Sequence, residues 1–331
     1  GGVSVSQGTA DIASRSNEAL GGTLDFMTSD PLLESGVTLQ GAAGEFDAQR
    51  LYARYDSGIV LGGTTRAWVS ASHQSATDWV NSAAENERDH LAAKFVSDFD
   101  RFTLTGYLSY DDTHEDNYQR LFSPEEFVEN DSWDRLTAEW SGIPYIDQVY
   151  RKGWSTLRTN TFGYLKAEGE LAEGLNVSAG VYFHQNKGRG DWVPPYLINV
   201  RDDQGGPESE LGSGPQAEGG GPLGLIYFVD GAGNSLTAAD GCASSITFPY
   251  GGAGAAYDPA CYPAGAIAVQ SYRHTHYEKQ RLGFTADFDW TRDFEGVENV
   301  LRGGIWCEDT ERDEWRDWHK ITDTRVGYEF N

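Results

Sequence analysis

The chain has 331 residues, with 25 Lys and Arg against 51 Asp and Glu and a formal net charge of -26, which excludes a protein that tracks phosphate backbones with Lys and Arg; no nucleic-acid partner is expected. Its 10 Trp, 17 Tyr and 15 Phe are too many for a disordered acidic tail, and no uninterrupted apolar run reaches the roughly 18 residues of a membrane helix. Two classes remain. One is a soluble all-β protein; the other is an outer-membrane β-barrel, whose strands hide apolar residues at every second position.

The chain opens on Gly1, its only methionine is Met27, and no basic stretch followed by an apolar one precedes the first motif. A start and an export signal are therefore expected further upstream. Residues 1–31 do not alternate like strands of a sheet wall. They run Val3-Ser4-Val5-Ser6-Gln7-Gly8-Thr9-Ala10-Asp11, then Glu18-Ala19-Leu20-Gly21-Gly22-Thr23-Leu24-Asp25-Phe26, then Asp30-Pro31. A Gly-Gly pair suits backbone packed too closely for a Cβ, or held at positive φ.

From residue 36 the dominant period is two. Phe102, Leu104, Gly106, Leu108 and Tyr110 alternate with Thr103, Thr105, Tyr107 and Ser109; Leu175, Val177, Ala179, Val181 and Phe183 alternate with small or polar residues. The clearest case is Leu282, Phe284, Ala286, Phe288 and Trp290 against Gly283, Thr285, Asp287 and Asp289. Connections alternate in kind. Short turn-like ones lie near 57–63, 98–101, 172–174 and 292–297, and long ones cover roughly 73–90, 111–157, 185–272 and 308 onward. Short periplasmic turns and long extracellular loops are the pattern of an outer-membrane barrel; on pattern alone a two-sheet sandwich with uneven loops stays open.

Taken together, the Gly21-Gly22-Thr23 segment and the hairpins that follow resemble TonB-dependent outer-membrane receptors, in which a small-residue turn, a Gly-Gly and an apolar strand close the plug domain just before the barrel. The resemblance implies an all-β fold, with the C-terminal end of a plug in 1–31 and the N-terminal part of an antiparallel transmembrane β-barrel, about nine strands, in 36–331. Plugged transporters have about 22 strands, so the chain is expected to be part of a longer protein. Gly21 and Gly22 would form the structural plug turn. The function implied is ligand-gated uptake of a siderophore, cobalamin or glycan across the outer membrane, with a TonB-type energy-coupling protein pulling on a segment ahead of the plug. Outer-membrane lipid would surround the wall, and neither catalysis nor a cofactor is implied.

The candidate ligand contacts are the aromatics placed in long loops, Trp133, Trp140, Trp154, Trp192, Tyr196, Trp315 and Trp318, together with Arg273 and Tyr277 on the polar parity of their strand. Flat amphipathic rings suit ligand capture; an interfacial girdle or packing within the loops is the other reading of the same rings. His274, His276 and Glu278 fall at spacing i, i+2, i+4 but share parity with Leu282 and Phe284, so they read as the outer rim of the wall and not as a metal site. Cys242 and Cys261 flank a Gly/Pro/Tyr-rich stretch: a loop disulfide in an oxidising compartment and unpaired thiols are both open. The competing functions are a secreted acidic all-β carbohydrate-binding protein and, below it, a secreted glycosidase using carboxylates such as Glu125 and Glu126.

Overall fold

A computed structural model describes residues 2–8, 21–79, 84–117, 123–129, 136–193, 197–198, 225–248, 251–321 and 323–324. Two strands, β1 (Gly2–Gln7) and β2 (Gly22–Met27), pair with each other in an antiparallel hairpin. Gly22 stands opposite Gln7 with φ of 134°, and a Cβ there would come 2.1 Å from the Ser6 carbonyl oxygen, so the second glycine of the pair is obligatory for this geometry. Gly21 has open space around its Cβ position.

Apart from three two-residue strand pairs within 193–269, the rest of the described strand content is one nine-stranded antiparallel sheet: β3 (Ser35–Ala43), β4 (Gln49–Val60), β5 (Thr65–Thr77), β6 (Glu85–Asp98), β7 (Phe102–Asp116), β8 (Ser155–Ala172), β9 (Leu175–Trp192), β10 (Gln270–Phe294) and β11 (Val297–Ile321). Each strand pairs with its neighbours in sequence, as in an up-and-down barrel wall, and among the described residues β3 and β11 each pair on one side only. No described helix is long and apolar enough to cross a membrane.

The strands run past the points where sequence alternation fades. β10 and β11 are 25 residues each, about 80 Å at 3.3 Å per residue, against a hydrocarbon core of about 30 Å. The segments expected as long loops at 73–90, 111–157, 185–272 and after 308 shrink to 78–84, 117–154, 193–269 and the residues beyond 321. Trp192, Trp315 and Trp318 thus lie in strands and not in loops. A short connection at 44–48 also joins β3 to β4 at the long-loop end, where none was expected. The reason is the same throughout: ladder hydrogen bonds continue whatever the side chains, so polar strand ends carry no alternating signal.

Strict pairing gives the sheet two faces. One carries Leu39, Leu51, Val69, Leu91, Leu108, Leu165, Val181, Leu282, Phe284 and Ile305, all exposed. Free Cys307, opposite Phe284, belongs to it. The other face carries Arg, Lys, Tyr, Trp and small hydroxyl residues.

Above the long-connection end the chain builds a cap with its own core. Val193, Tyr272 and Ile321 are buried together under Trp140, and Val229 packs with Val269 and Ile267. The Asp78–Arg151 ion pair, 2.8 Å and fully buried, ties the β5–β6 connection to the 117–154 connection. Gln270 Nε2, at the start of β10, donates to Pro144 O at 3.0 Å, and the Tyr145 ring lies 5.0 Å from that of Tyr257, which joins the 117–154 connection to the 193–269 one. Within the latter, Cys242 and Cys261 are disulfide-bonded with a Cα separation of 5.7 Å.

Candidate functional site on the polar face

Register alone aligns one row across the whole polar face. Gly36 faces Asp56, Asp56 faces Trp68, and the row continues through Lys94, Tyr107, Tyr164, Tyr182, Gly283 and Glu308. Tyr107 stacks on Tyr164 at 5.5 Å, and Trp68 meets Tyr107 edge-on at 6.2 Å. Such cross-strand aromatic pairs add to the ladder bonds.

At the β4–β6 end of this row the face holds the segment that follows the hairpin. Asp56 accepts from Arg54 Nε at 2.8 Å and Nη2 at 2.7 Å, and from the Leu32 amide at 2.9 Å. Arg54 also donates from Nη1 to Ser29 Oγ at 2.6 Å, and its guanidinium lies 4.8 Å over the Trp68 ring. Trp68 Nε1 donates to Ser29 O at 2.9 Å; Lys94 Nζ donates to Asp30 Oδ1 at 2.7 Å. Asp56, Trp68 and Lys94 are buried. The bonds of Arg54, Asp56 and Lys94 are charge-assisted, and with the Trp68 indole bond they strap residues 28–32 to the polar side of the sheet.

At the β8–β11 end the row opens into a cavity of about 610 Å³ whose lining includes Phe162, Tyr164, Tyr182, Lys279, Arg281 and Trp306. Tyr182 OH donates to Glu308 Oε2 at 2.5 Å and accepts from Trp306 Nε1 at 2.8 Å. Its ring lies over Gly283, where a Cβ would sit 2.0 Å from the ring. Lys166 pairs with Glu168. A second cavity, about 410 Å³, lies nearer the long connections against Arg50, Gln74, Arg88 and Glu115.

The residues singled out in the sequence scatter around this face. Arg273 and Trp192 are cross-strand partners on it, with the guanidinium 4.7 Å over the indole, and Tyr277 is half-buried on the same side. Trp140 and Trp154 belong to the cap, their indole N–H groups donating to Thr324 O at 2.9 Å and Gln148 O at 2.7 Å. Trp315 is on the opposite face, stacked 5.0 Å from His276. Trp318 pairs through its backbone with Arg273; Trp133 and Tyr196 lie outside the described residues. His274, on the same face as His276, is 2.9 Å from Asp191 Oδ1. Among the described residues one group has metal-ligand spacing, half-buried His73 with exposed Glu87 and Asp89. Sequence reading passed over Trp68, Tyr107, Tyr164, Tyr182 and Trp306, although their polar-parity positions were a usable signal.

No protein-family model matches the chain, and no curated protein matches it in sequence. Among solved structures it is similar to the pyoverdine outer membrane receptor FpvA from Pseudomonas aeruginosa PAO1 bound to pyoverdine, at 12% identity and a TM-score of 0.55, over 95% of this chain and 36% of that one. FpvA of P. aeruginosa bound to heterologous pyoverdines gives 12% identity and 0.52, over 92% and 32%. The ferripyoverdine receptor of the P. aeruginosa outer membrane bound to ferripyoverdine gives 12% and 0.50, over 89% and 30%. The chain spans about a third of the length of these receptor chains. The likeness is one of fold, an antiparallel sheet like part of the β-barrel wall of these structures.

Proposed function

We propose that the chain is part of the wall of a ligand-gated outer-membrane transport receptor of the TonB-dependent type, with the β1–β2 hairpin as the end of its plug domain. In this reading the apolar face meets lipid, the polar face lines the lumen, and the cap faces outward. A scarce ligand, whether siderophore, cobalamin or glycan, binds from outside. An inner-membrane partner supplies energy through a segment ahead of the plug.

The observation that carries the reading is the strap of residues 28–32 on the polar face. A chain leaving a plug must enter the wall from the lumenal side, and residues 28–32 are bonded to the polar face, lumenal in this reading, through Arg54, Asp56, Trp68 and Lys94. The exposed apolar face supports it too. A secreted carbohydrate-binding module would leave that face in water, far beyond the few hundred Å² of contiguous apolar surface that soluble monomers tolerate. Expression of the complete gene containing this chain, followed by membrane fractionation and comparison of boiled with unboiled gel migration, tests the reading. An outer-membrane, heat-modifiable band is expected. A soluble secreted product would overturn it.

A further inference from the structure

Resting on the receptor reading, we infer that the lipid-facing side of the wall binds a divalent transition-metal ion at the edge of its apolar band, between His73 of β5 and Glu87 and Asp89 of β6. Register places His73 opposite Asp89, and Glu87 shares their face because it is two residues from Asp89 on one strand. One ligand atom from each of the three lies within 4.8 Å of the others.

Unpaired carboxylates are common in a chain with 51 acidic and 25 basic residues. What sets this group apart is an imidazole held between two of them. His73 Nδ1 is 2.9 Å from Asp89 Oδ1; a ring nitrogen facing a carboxylate is the one that carries the proton, which leaves the Nε2 lone pair for a metal. Nε2 is 3.8 Å from Glu87 Oε1. Two zinc–ligand bonds of about 2.0–2.2 Å reach across roughly 4 Å, so an ion fits between these atoms without movement of either strand. The imidazole also chooses the ion, since calcium takes oxygen ligands and zinc accepts nitrogen beside oxygen.

Charge and position supply the independent arguments. Asp112 of β7 stands directly opposite Asp89, and like charges so placed destabilise a sheet. Among the described residues no Lys or Arg lies within 4 Å of Glu87, Asp89 or Asp112. On the polar face of the same strands the acids are matched, Asp98 with Arg66 and Asp111 with Arg88. The unmatched acids therefore gather on the side turned to lipid. Leu51, directly opposite His73, and Leu91, two residues from Asp89, are both exposed apolar side chains of that side. Carboxylates bordering hydrocarbon are costly unless paired or coordinated to a metal, and a divalent ion here removes both that cost and the Asp89–Asp112 repulsion.

Calorimetric titration of the complete receptor, stripped with chelator and held in detergent, with zinc chloride and with calcium chloride tests the inference. A zinc-binding step is expected that is lost in His73→Ala and is tighter than any calcium step. Asp89→Asn should weaken that step by about 10- to 100-fold, the range for losing the hydrogen-bond partner of a metal-bound histidine. Glu311→Gln, at an exposed acid on the same face of β11, should leave it unchanged. Absence of zinc binding, a zinc isotherm indifferent to His73→Ala, or calcium bound as tightly as zinc would overturn it. Each protein is checked by heat-modifiable migration. A normal band with no His73-dependent zinc step sinks the metal site alone, whereas loss of the band in the unsubstituted receptor sinks the receptor reading and this inference together.

Discussion

The wall and the cap of this protein are held by different forces. In the cap, apolar side chains such as Val193, Phe228, Val269 and Ile321 are almost wholly buried, as in a water-soluble domain. In the wall the large apolar side chains stand exposed on one face, and cohesion comes from continuous ladder bonds and cross-strand pairs on the other. The cap therefore carries its own solvent-excluding core, whereas in the proposed receptor lipid would supply one to the wall. Changes in the cap should open it locally and spare the wall. Changes on the wall's apolar face should depend on the bilayer.

The largest effect expected from this contrast is at the Asp78–Arg151 pair. Replacing Arg151 with Met removes the guanidinium from a fully buried carboxylate, a loss of about 3–5 kcal/mol for a buried pair broken on one side. Limited proteolysis should then cut residues 136–154 while the wall keeps its heat-modifiable migration. Simultaneous loss of the wall would mean that the two regions are a single cooperative unit.

Next in size is an inversion test on the wall. Phe284 is on the apolar face and Thr285 on the polar one. Phe284→Arg should cost about 2–4 kcal/mol near the bilayer midplane, read as a lowered denaturant midpoint in lipid vesicles. Thr285→Arg should shift that midpoint little. The opposite ranking would exchange lipid and lumen and break the proposed topology.

The same contrast explains what the sequence revealed. Alternation from Leu282 to Trp290 announced the apolar face because each residue's side is set by its own parity. Farther up β10 and β11, the apolar-parity positions become His276, Glu278, Asp309 and Glu311; the apolar signal stops there, although pairing continues to Gln270 and Ile321. The aromatic row was hidden for another reason. Tyr107 meets Tyr164 and Tyr182 meets Gly283 only through registers fixed across long connections, and register is not a local property. The strap was illegible likewise: Ser29 and Asp30 give no sign of Trp68 or Lys94. Loop aromatics looked more promising because they stood apart from the alternation, yet Trp140 and Trp154 use their polar groups to tie the cap together.

The smallest expected effect concerns pH and the cap alone. Burial pushes the Asp147 carboxyl up to about 6, against the opposing pull of hydrogen bonds from the Ser141 amide and hydroxyl to Oδ1, each 2.7 Å. Among the described residues its Oδ2 is buried without a hydrogen-bond partner, so the ionised form is the disfavoured one. For an acid whose pKa is higher folded than unfolded, the folded cap holds the extra proton between the ordinary value of 3.8 and about 6. The stabilisation is complete below that window and disappears as pH rises through about 6. The cap should therefore open more readily at pH 7.5 than at pH 4.5, by on the order of 1–2 kcal/mol. Hydrogen exchange at Ser141, corrected for the intrinsic pH dependence of exchange, measures that opening. Asp147→Asn keeps an acceptor for Ser141 and removes the titration, so the pH-dependent difference should vanish in that variant while the wall's amides stay as they were. A difference that persists in Asp147→Asn would assign the pH response to another group and leave Asp147 as a plain structural acceptor.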